Sequence, residues 1–157
     1  MKADMYHTEQ PSDNIIKLST GSFTIEELEA IFSTMPAEIS FVDKDDKVKF
    51  FSNKSDRLFF RGKGALGKDL RLCHPPRYKA SMENVIESFK SGKEDRALFW
   101  RETHKDCFVS IEYYALRNEE NEYMGTLEVV QNITELRTLE GNSHEPVFSK
   151  KINPQTE

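Results

Sequence analysis

The chain has 157 residues, 37% of them apolar, and a formal net charge of -5, which is the size of one domain rather than two. This mild acidity argues against a nucleic-acid binder, which usually carries a basic stripe, and no apolar run is long enough to cross a bilayer. The start of the chain lacks the features of a secretory signal, so we expect a cytoplasmic protein in which Cys73 and Cys107 are thiols.

Polar segments flank one globular region. Residues 1–22 and 138–157 lack a sustained hydrophobic period, and we interpret them as a polar N-terminal tail and a polar C-terminal tail or linker. Residues 23–137 have the length of a typical small domain, without internal repeats. One hydrophobic core is therefore expected.

The first part of this domain is predicted to form a helix and then a hairpin. Thr24 followed by Glu27 fits a capping box, and apolar residues then recur at helical spacing. Two short apolar-rich runs, residues 38–43 and 47–52, surround an acidic turn and are predicted to be paired strands. Residues 55–60 are predicted to form a short helix.

The middle of the domain carries a second amphipathic helix. Apolar residues repeat at three and four positions from Ser81 to Lys90, and Gly92 suits a C-terminal cap. The following segments, residues 96–104, 107–117 and 123–134, alternate in polarity and are predicted to be strands. The order of elements predicts an α+β fold with a five-stranded antiparallel sheet and helices on one face.

A two-residue loop at Lys105-Asp106 would fix the pairing of the first two of these strands. It predicts three facing pairs on the core side of the ladder: His104 with Cys107, Trp100 with Ile111, and Leu98 with Tyr113. Phe99 and Arg101 would then lie on the opposite side.

These features together resemble a PAS domain, the Per-Arnt-Sim sensor module. The segment Asn132-Ile133-Thr134-Glu135 resembles the Asp-Ile-Thr-Glu that closes many PAS domains, and Phe41-Val42-Asp43 resembles their first strand. Cys73-His74-Pro75-Pro76 and Gly125-Thr126-Leu127-Glu128-Val129 add a closer likeness to the C-terminal PAS domain of a bacterial family often joined to a hemerythrin-like domain. The resemblance implies a pocket inside the sheet, homodimerisation through the helix from Ile25 to Met35, and regulation rather than enzymatic chemistry.

Cys73 and His74 are the most unusual candidates for a binding site. Both are good metal ligands, and the two prolines that follow hold the local backbone rigid. Adjacent residues in an extended segment point apart, which argues against a nucleophile and base pair. Simple packing or hydrogen bonding of both side chains remains the alternative, and a zinc site that adds His104 and Cys107 is a weaker one because the spacing is unusual.

Apolar residues of the predicted interior offer a second candidate site. They could frame a ligand cavity or fill a core, and the sequence does not distinguish the two. The residues are Trp100, Ile111 and Tyr113 from the strands, with Leu70, Leu72 and Phe60 from the helical side. Heme stays open as a cofactor, with Cys73 or His74 as its ligand, whereas the missing Asn-Cys-Arg motif argues against a light-sensing flavin. We interpret the basic stretch of Arg57, Arg61, Lys63 and Lys68 as a solvated loop, with binding of an anionic ligand or phosphate as the alternative.

The sequence therefore predicts a sensory or regulatory module that binds a small molecule or cofactor and is not an enzyme. Its signal would pass through dimer contacts and flanking helices, with no nucleic-acid or membrane partner. Two alternatives are a small α+β enzyme or metal-binding protein using Cys73 and His74, and a ligand-free dimerisation scaffold.

Overall fold

A five-stranded antiparallel sheet forms the centre of the computed structural model, which describes residues 14–103 and 106–148. The elements are β1 Ile15–Leu18, β2 Gly21–Thr24, α1 Ile25–Thr34, β3 Ala37–Asp43, β4 Val48–Phe51, α2 Lys79–Lys90, β5 Arg96–Glu102, β6 Phe108–Arg117 and β7 Tyr123–Asn132. The strand order of the central sheet is β4-β3-β7-β6-β5, and a separate two-stranded sheet, β1-β2, precedes it. The predicted α+β architecture is confirmed. Within the described ranges, no helix has the length and apolar character needed to span a membrane.

The predicted capping box begins α1. The backbone N–H of Thr24 donates to Oε2 of Glu27 at 2.9 Å, and the backbone N–H of Glu27 donates to Oγ1 of Thr24 at 3.1 Å. Two N–H groups at the start of the helix are thereby satisfied. The helix contacts the edge strand β4 through Phe32 and Phe50, whose ring centroids are 4.9 Å apart.

The segment interpreted as an N-terminal tail contains a β-hairpin. Ile16 pairs with Phe23 and Leu18 with Gly21, while every residue of β1 is exposed. A hairpin that buries so little leaves no strong alternation in the sequence, which explains why no strand was predicted there. Residues 1–13 and 149–157 of the two predicted tails lie outside the described residues.

Helix α2 ends in a Schellman motif, as Gly92 suggested. The N–H of Gly92 donates to the carbonyl of Phe89 at 3.1 Å, and the N–H of Lys93 donates to the carbonyl of Ser88 at 3.0 Å. Gly92 adopts a φ of 74°, which side-chain-bearing residues rarely adopt.

The short helix predicted at residues 55–60 does not form. The N–H of Leu58 instead donates to the carboxylate of Glu38, and the Arg57 side chain donates to the carbonyl of Ser52. These tertiary contacts therefore hold the loop after β4 in an irregular conformation. Three 3₁₀ turns, Lys63–Ala65, Leu70–Cys73 and Pro76–Tyr78, connect it to α2.

The packed core lies between the sheet and α2, on the β3 and β4 side. Val42, Val48, Leu70 and Ile86 form one buried cluster, and Phe89 at the end of α2 is almost completely buried. These apolar contacts supply most of the stabilisation on this side of the sheet.

An ion-pair network fastens the 3₁₀ turn Leu70–Cys73 beside this core. The Arg71 guanidinium lies 3.0 Å from Asp46 and 3.1 Å from Asp69, and it also bonds the Glu83 carboxylate. The backbone N–H of Arg71 is the main reason that the pKa of Asp69 lies below its usual value. Hydrogen bonding from the Arg71 side chain likewise lowers the pKa of Glu83. Lys90 at the end of α2 pairs with Asp46 at 2.8 Å.

Gly125 lets β7 approach β3 closely. A Cβ atom at this position would lie 2.3 Å from the carbonyl oxygen of Val42 and 2.7 Å from the Phe41 ring. Such distances are shorter than any real contact, so the glycine of the family-like segment is explained by packing.

The pairing of β5 with β6 differs by one residue from the prediction. The observed pairs are Ala97 with Tyr113, Phe99 with Ile111, and Trp100 with Ser110. The N–H of Thr103 donates to the carbonyl of Cys107 at 2.9 Å, so Thr103 takes the place predicted for His104, which itself lies outside the described residues. A slip of one residue moves every side chain of a strand to the other face. Phe99 and Arg101 therefore face the interior, and the predicted interior position of Trp100 and Leu98 is wrong.

Candidate functional site

A cavity of about 730 Å³ lies between α2 and the inner face of the sheet. This volume falls in the range of pockets that hold small organic ligands. Much of its wall is apolar, and this part includes Met82, Val85 and Ile86 of α2, Phe99 and Ile111 of the sheet, and Phe59 of the loop after β4. The large side chains on this side of the sheet thus frame a space rather than fill it.

Two glutamates on the inner face of the sheet are paired with arginines of the loop after β4. Glu38 is only 4% exposed and lies 3.4 Å from Arg57, while the Glu128 carboxylate lies 3.1 Å from Arg61. Buried carboxylates need such partners because desolvation disfavours the charged form. Both negative charges of the wall are therefore balanced locally.

Tyr113 adds a neutral hydrogen-bond donor to this wall. Its hydroxyl donates to Oε1 of Glu128 at 3.0 Å. Burial, together with the nearby charge of Glu128, raises the pKa of Tyr113 well above its usual value. The phenol therefore stays protonated across the physiological range.

Two further arginines, Arg77 and Arg101, line the cavity around the ring of Tyr78. Nη1 of Arg101 donates to the Tyr78 hydroxyl at 2.8 Å, and its guanidinium carbon lies 4.8 Å from the centre of the Phe59 ring. The Arg77 guanidinium lies 4.9 Å from the centre of the Tyr78 ring. Within residues 14–103 and 106–148, neither guanidinium pairs with a carboxylate, and Nε of Arg101 is buried without a hydrogen-bond partner.

Cys73 and His74 both lie on the cavity wall, but they bond different backbone carbonyls. Sγ of Cys73 lies 3.9 Å from the carbonyl oxygen of Asp69, and Nδ1 of His74 lies 3.0 Å from that of Leu70. Because a carbonyl only accepts, Nδ1 of His74 carries a proton, which leaves Nε2 as the nitrogen available to a ligand. The described part of the chain contains no group of three or more metal-ligating side chains, and His104 of the zinc alternative lies outside it.

The other residues predicted for this site take different positions. Ile111 and Tyr113 line the cavity from the inner face. Trp100 touches its rim and is 63% exposed, and Phe60 touches it while being 95% exposed. Leu72 does not line the cavity and is largely exposed.

The charged residues of the wall are what the sequence analysis missed. Arg57 and Arg61 were interpreted as parts of a solvated loop, and Arg101 was placed on the outer face. Glu38 and Glu128 each stand between apolar neighbours in a strand, which usually marks a solvent-facing position. Their inward position becomes predictable only once the fold shows which face of β3 and β7 lies against α2 and the loop after β4.

Comparisons with known proteins agree with this geometry. A family model described as a PAS domain matches residues 28–134. A crystal structure of a C-terminal domain from Streptococcus mutans is 27% identical with a TM-score of 0.73, and the match covers 80% of this chain and 96% of that one. A search of curated proteins finds no match.

More distant solved structures share the fold alone. A PAS domain from Colwellia psychrerythraea is 15% identical with a TM-score of 0.50, and the match covers 70% of this chain and 97% of that one. The PAS domain of BvgS from Bordetella pertussis is 16% identical with a TM-score of 0.51, over 70% of this chain and 86% of that one. Since the family model spans most of the described residues, the chain belongs to the PAS domain family.

Proposed function

We propose that this chain is a sensory or regulatory PAS module that binds a small molecule between its sheet and α2. The observation that carries the proposal is the cavity of about 730 Å³, which lies next to a tightly packed core. An apolar concave surface that stays open to water lacks the contacts that fill the neighbouring core. A large cavity with converging polar groups is therefore best explained by a ligand.

The end of the domain offers a route for the signal. The hydroxyl of Thr134 accepts a hydrogen bond from the N–H of Phe108 at 2.8 Å and donates to Oδ1 of Asn132 at 2.6 Å. The guanidinium carbon of Arg137 lies 4.2 Å from the centre of the Phe108 ring. These contacts join the outgoing segment, the residues from 133 onward that follow β7, to β6. Ile111 and Tyr113 of β6 line the cavity. A ligand that shifts β6 would thereby act on this segment.

Mass spectrometry under native conditions tests the binding of a ligand. We expect freshly purified protein to carry a small molecule that denaturation releases. Val85 lies on the cavity wall and Asn84 beside it is exposed. Val85→Trp should fill the cavity and abolish the added mass, whereas the matched control Asn84→Trp should retain it. A bare chain mass that no cellular extract can increase would contradict the proposal.

A heme or metal sensor is a second candidate because of His74. Its Nδ1–H is fixed by the carbonyl of Leu70, which orients the ring and leaves Nε2 as the ligating atom. Heme binding predicts a Soret band that His74→Ala abolishes and that substitution of the exposed His144 leaves unchanged. Protein that stays colourless after heme supplementation would exclude this version.

The dimer is proposed to form through α1. Ile25 and Ile31 are exposed on this helix, although its pattern is amphipathic. Covering them in a second copy would remove apolar surface from water. We expect Ile31→Lys to yield monomers in sedimentation experiments, while Glu29→Lys at an exposed position leaves the dimer intact. A dimer that survives Ile31→Lys would place the interface elsewhere.

A further inference from the structure

We infer that the cavity binds an amphipathic organic anion, a molecule with an apolar body and one acidic group such as a carboxylate. This inference rests on the proposed function, because it names the ligand class of the same cavity. It follows from the charges of the wall, from the geometry of Arg101 and from the apolar surface opposite α2.

The charge of the cavity wall is opposite to that of the whole protein. The chain has a net charge of -5, yet the charged side chains of the wall are Glu38, Glu128, Arg57, Arg61, Arg77 and Arg101. Each glutamate pairs with its own arginine of the loop after β4. In the described part of the chain, the positive charges of Arg77 and Arg101 therefore remain without a carboxylate.

Arg101 is held in a position that suits the recognition of an acid. The Tyr78 hydroxyl and the Phe59 ring fix its guanidinium from two sides. Its Nε atom is buried and finds no hydrogen-bond partner among the described residues. Burying a guanidinium nitrogen without a partner is costly, and a carboxylate can accept from two guanidinium nitrogens at once. A ligand carboxylate that moves the covering Tyr78 or Phe59 side chain aside would supply the acceptor that the protein does not.

The second arginine, Arg77, is exposed and lies against the same Tyr78 ring as Arg101. The centre of this ring lies 4.9 Å from the Arg77 guanidinium carbon and 5.6 Å from that of Arg101. Two positive groups around one ring favour an anion and disfavour a cation by repulsion. One end of the ligand is therefore expected to be acidic.

The rest of the wall requires an apolar body. Val85 and Ile86 of α2 face Phe99 and Ile111 of the sheet across the cavity. A small polar anion would leave this surface without contacts, and removing apolar surface from water is the larger source of affinity. The two arginines and the apolar wall together select a ligand that is apolar along its length and negatively charged at one end.

Calorimetric titration of the full chain, stripped of bound molecules, tests this inference with matched probes. Octanoate, octanol and octylammonium share the same apolar body and differ in the charge of the head, whereas acetate has the charge alone. We expect octanoate to bind at least about tenfold more tightly than octanol, as a charge-assisted hydrogen bond implies. Octylammonium and acetate should bind more weakly than both.

Substitution of the arginines tests whether Arg77 and Arg101 cause the preference for octanoate over octanol. In Arg101→Gln and Arg77→Gln, the affinity for octanoate should fall towards that for octanol, which should itself stay unchanged. Arg96→Gln is the matched control, because Arg96 lies on the same strand but its side chain is exposed on the outer face. This variant should keep the full preference for octanoate.

The outcomes separate this inference from the proposed function. A preference for octanol or octylammonium, or a preference for octanoate that survives in the Arg77 and Arg101 double variant, would overturn the inference while leaving the cavity as a binding site. Binding of none of the probes would also overturn it. The proposed function would then be decided by the native mass spectrum alone, since a molecule of another class could still add mass to the wild type and not to Val85→Trp.

Discussion

The two edge strands of the sheet differ in how completely their inward-facing side chains are buried. At one edge, Val48 of β4 is 0% exposed and packs beneath Leu70 and Ile86. At the other edge, Phe99 of β5 is 40% exposed although it too faces inward. The same sheet and the same helix α2 thus provide a filled interior on one side and an open one on the other.

The difference lies in what covers each edge. A 3₁₀ turn fastened by Arg71 and its acidic partners closes the space over β4. Over β5 the cover consists of the loop around Phe59 and the turn at Tyr78, which Arg101 joins through its guanidinium. We infer that the filled edge supplies stability and that the open edge is the part free to respond to a ligand.

The largest expected effect comes from truncating one phenylalanine of the buried interior, which should cost more than truncating one at the open edge. Phe89 is almost fully buried, so Phe89→Ala should lower the free energy of unfolding by about 3–5 kcal/mol. Phe99 borders an existing cavity, so Phe99→Ala should lower it by about 1 kcal/mol or less. Urea unfolding of both variants measures these losses. Equal losses would show that the two edges do not differ in packing.

Removing the network over β4 should have the next largest effect. Arg71→Ala should lower the free energy of unfolding by about 1–2 kcal/mol at neutral pH, because it leaves Asp46 and Asp69 with fewer partners. Lys68→Ala at an exposed position of the same loop should change little.

The network also predicts the response to acid. The pKa of Asp69 is lowered in the folded protein, so its contribution is present above its usual value of about 4 and is lost as the pH falls through the folded value. The decrease in the free energy of unfolding at acid pH should be smaller in Arg71→Ala than in the wild type. It should not vanish, because the backbone N–H of residue 71 still bonds Asp69. An unchanged acid dependence would show that the Arg71 side chain does not act on this carboxylate.

A small effect is also expected on the cavity wall, where Tyr113→Phe removes the hydrogen bond to Glu128. The expected loss at neutral pH is about 1 kcal/mol. The pKa of Tyr113 is raised in the folded protein, so its neutral form stabilises the fold below about pH 10 and this contribution is lost at higher pH. Unfolding experiments near pH 10 should show less alkaline destabilisation in Tyr113→Phe than in the control Tyr114→Phe, whose hydroxyl bonds Glu112 instead.

Local signals in the sequence predicted α1 and α2 well, but they failed for the short helix at residues 55–60 and for the pairing of β5 with β6. The capping box at Thr24 and the glycine after α2 act within a few residues, so the sequence contains the whole interaction. The pairing of β5 with β6 depends on the length of one loop, and apolar residues occur on both faces of β5. Polarity therefore could not select between two registers that differ by one residue.

The candidate site was predictable only where it depends on the local facing of a strand. Ile111 and Tyr113 were placed inside correctly, because β6 keeps its facing whichever register β5 adopts. The ion pairs of Glu38 and Glu128 join residues far apart in the chain, and no local pattern marks them. Only the fold reveals that these charges meet inside the domain.

The position of Trp100 gives the protein its own optical reporter. It is the only tryptophan of the chain, it is mostly exposed, and it touches the rim of the cavity from β5. Its emission in the free protein should therefore resemble that of indole in water, and a ligand that orders the open edge should shift this emission to shorter wavelengths. Rapid-mixing fluorescence could then follow the rates of ligand entry and exit in the unlabelled wild-type protein.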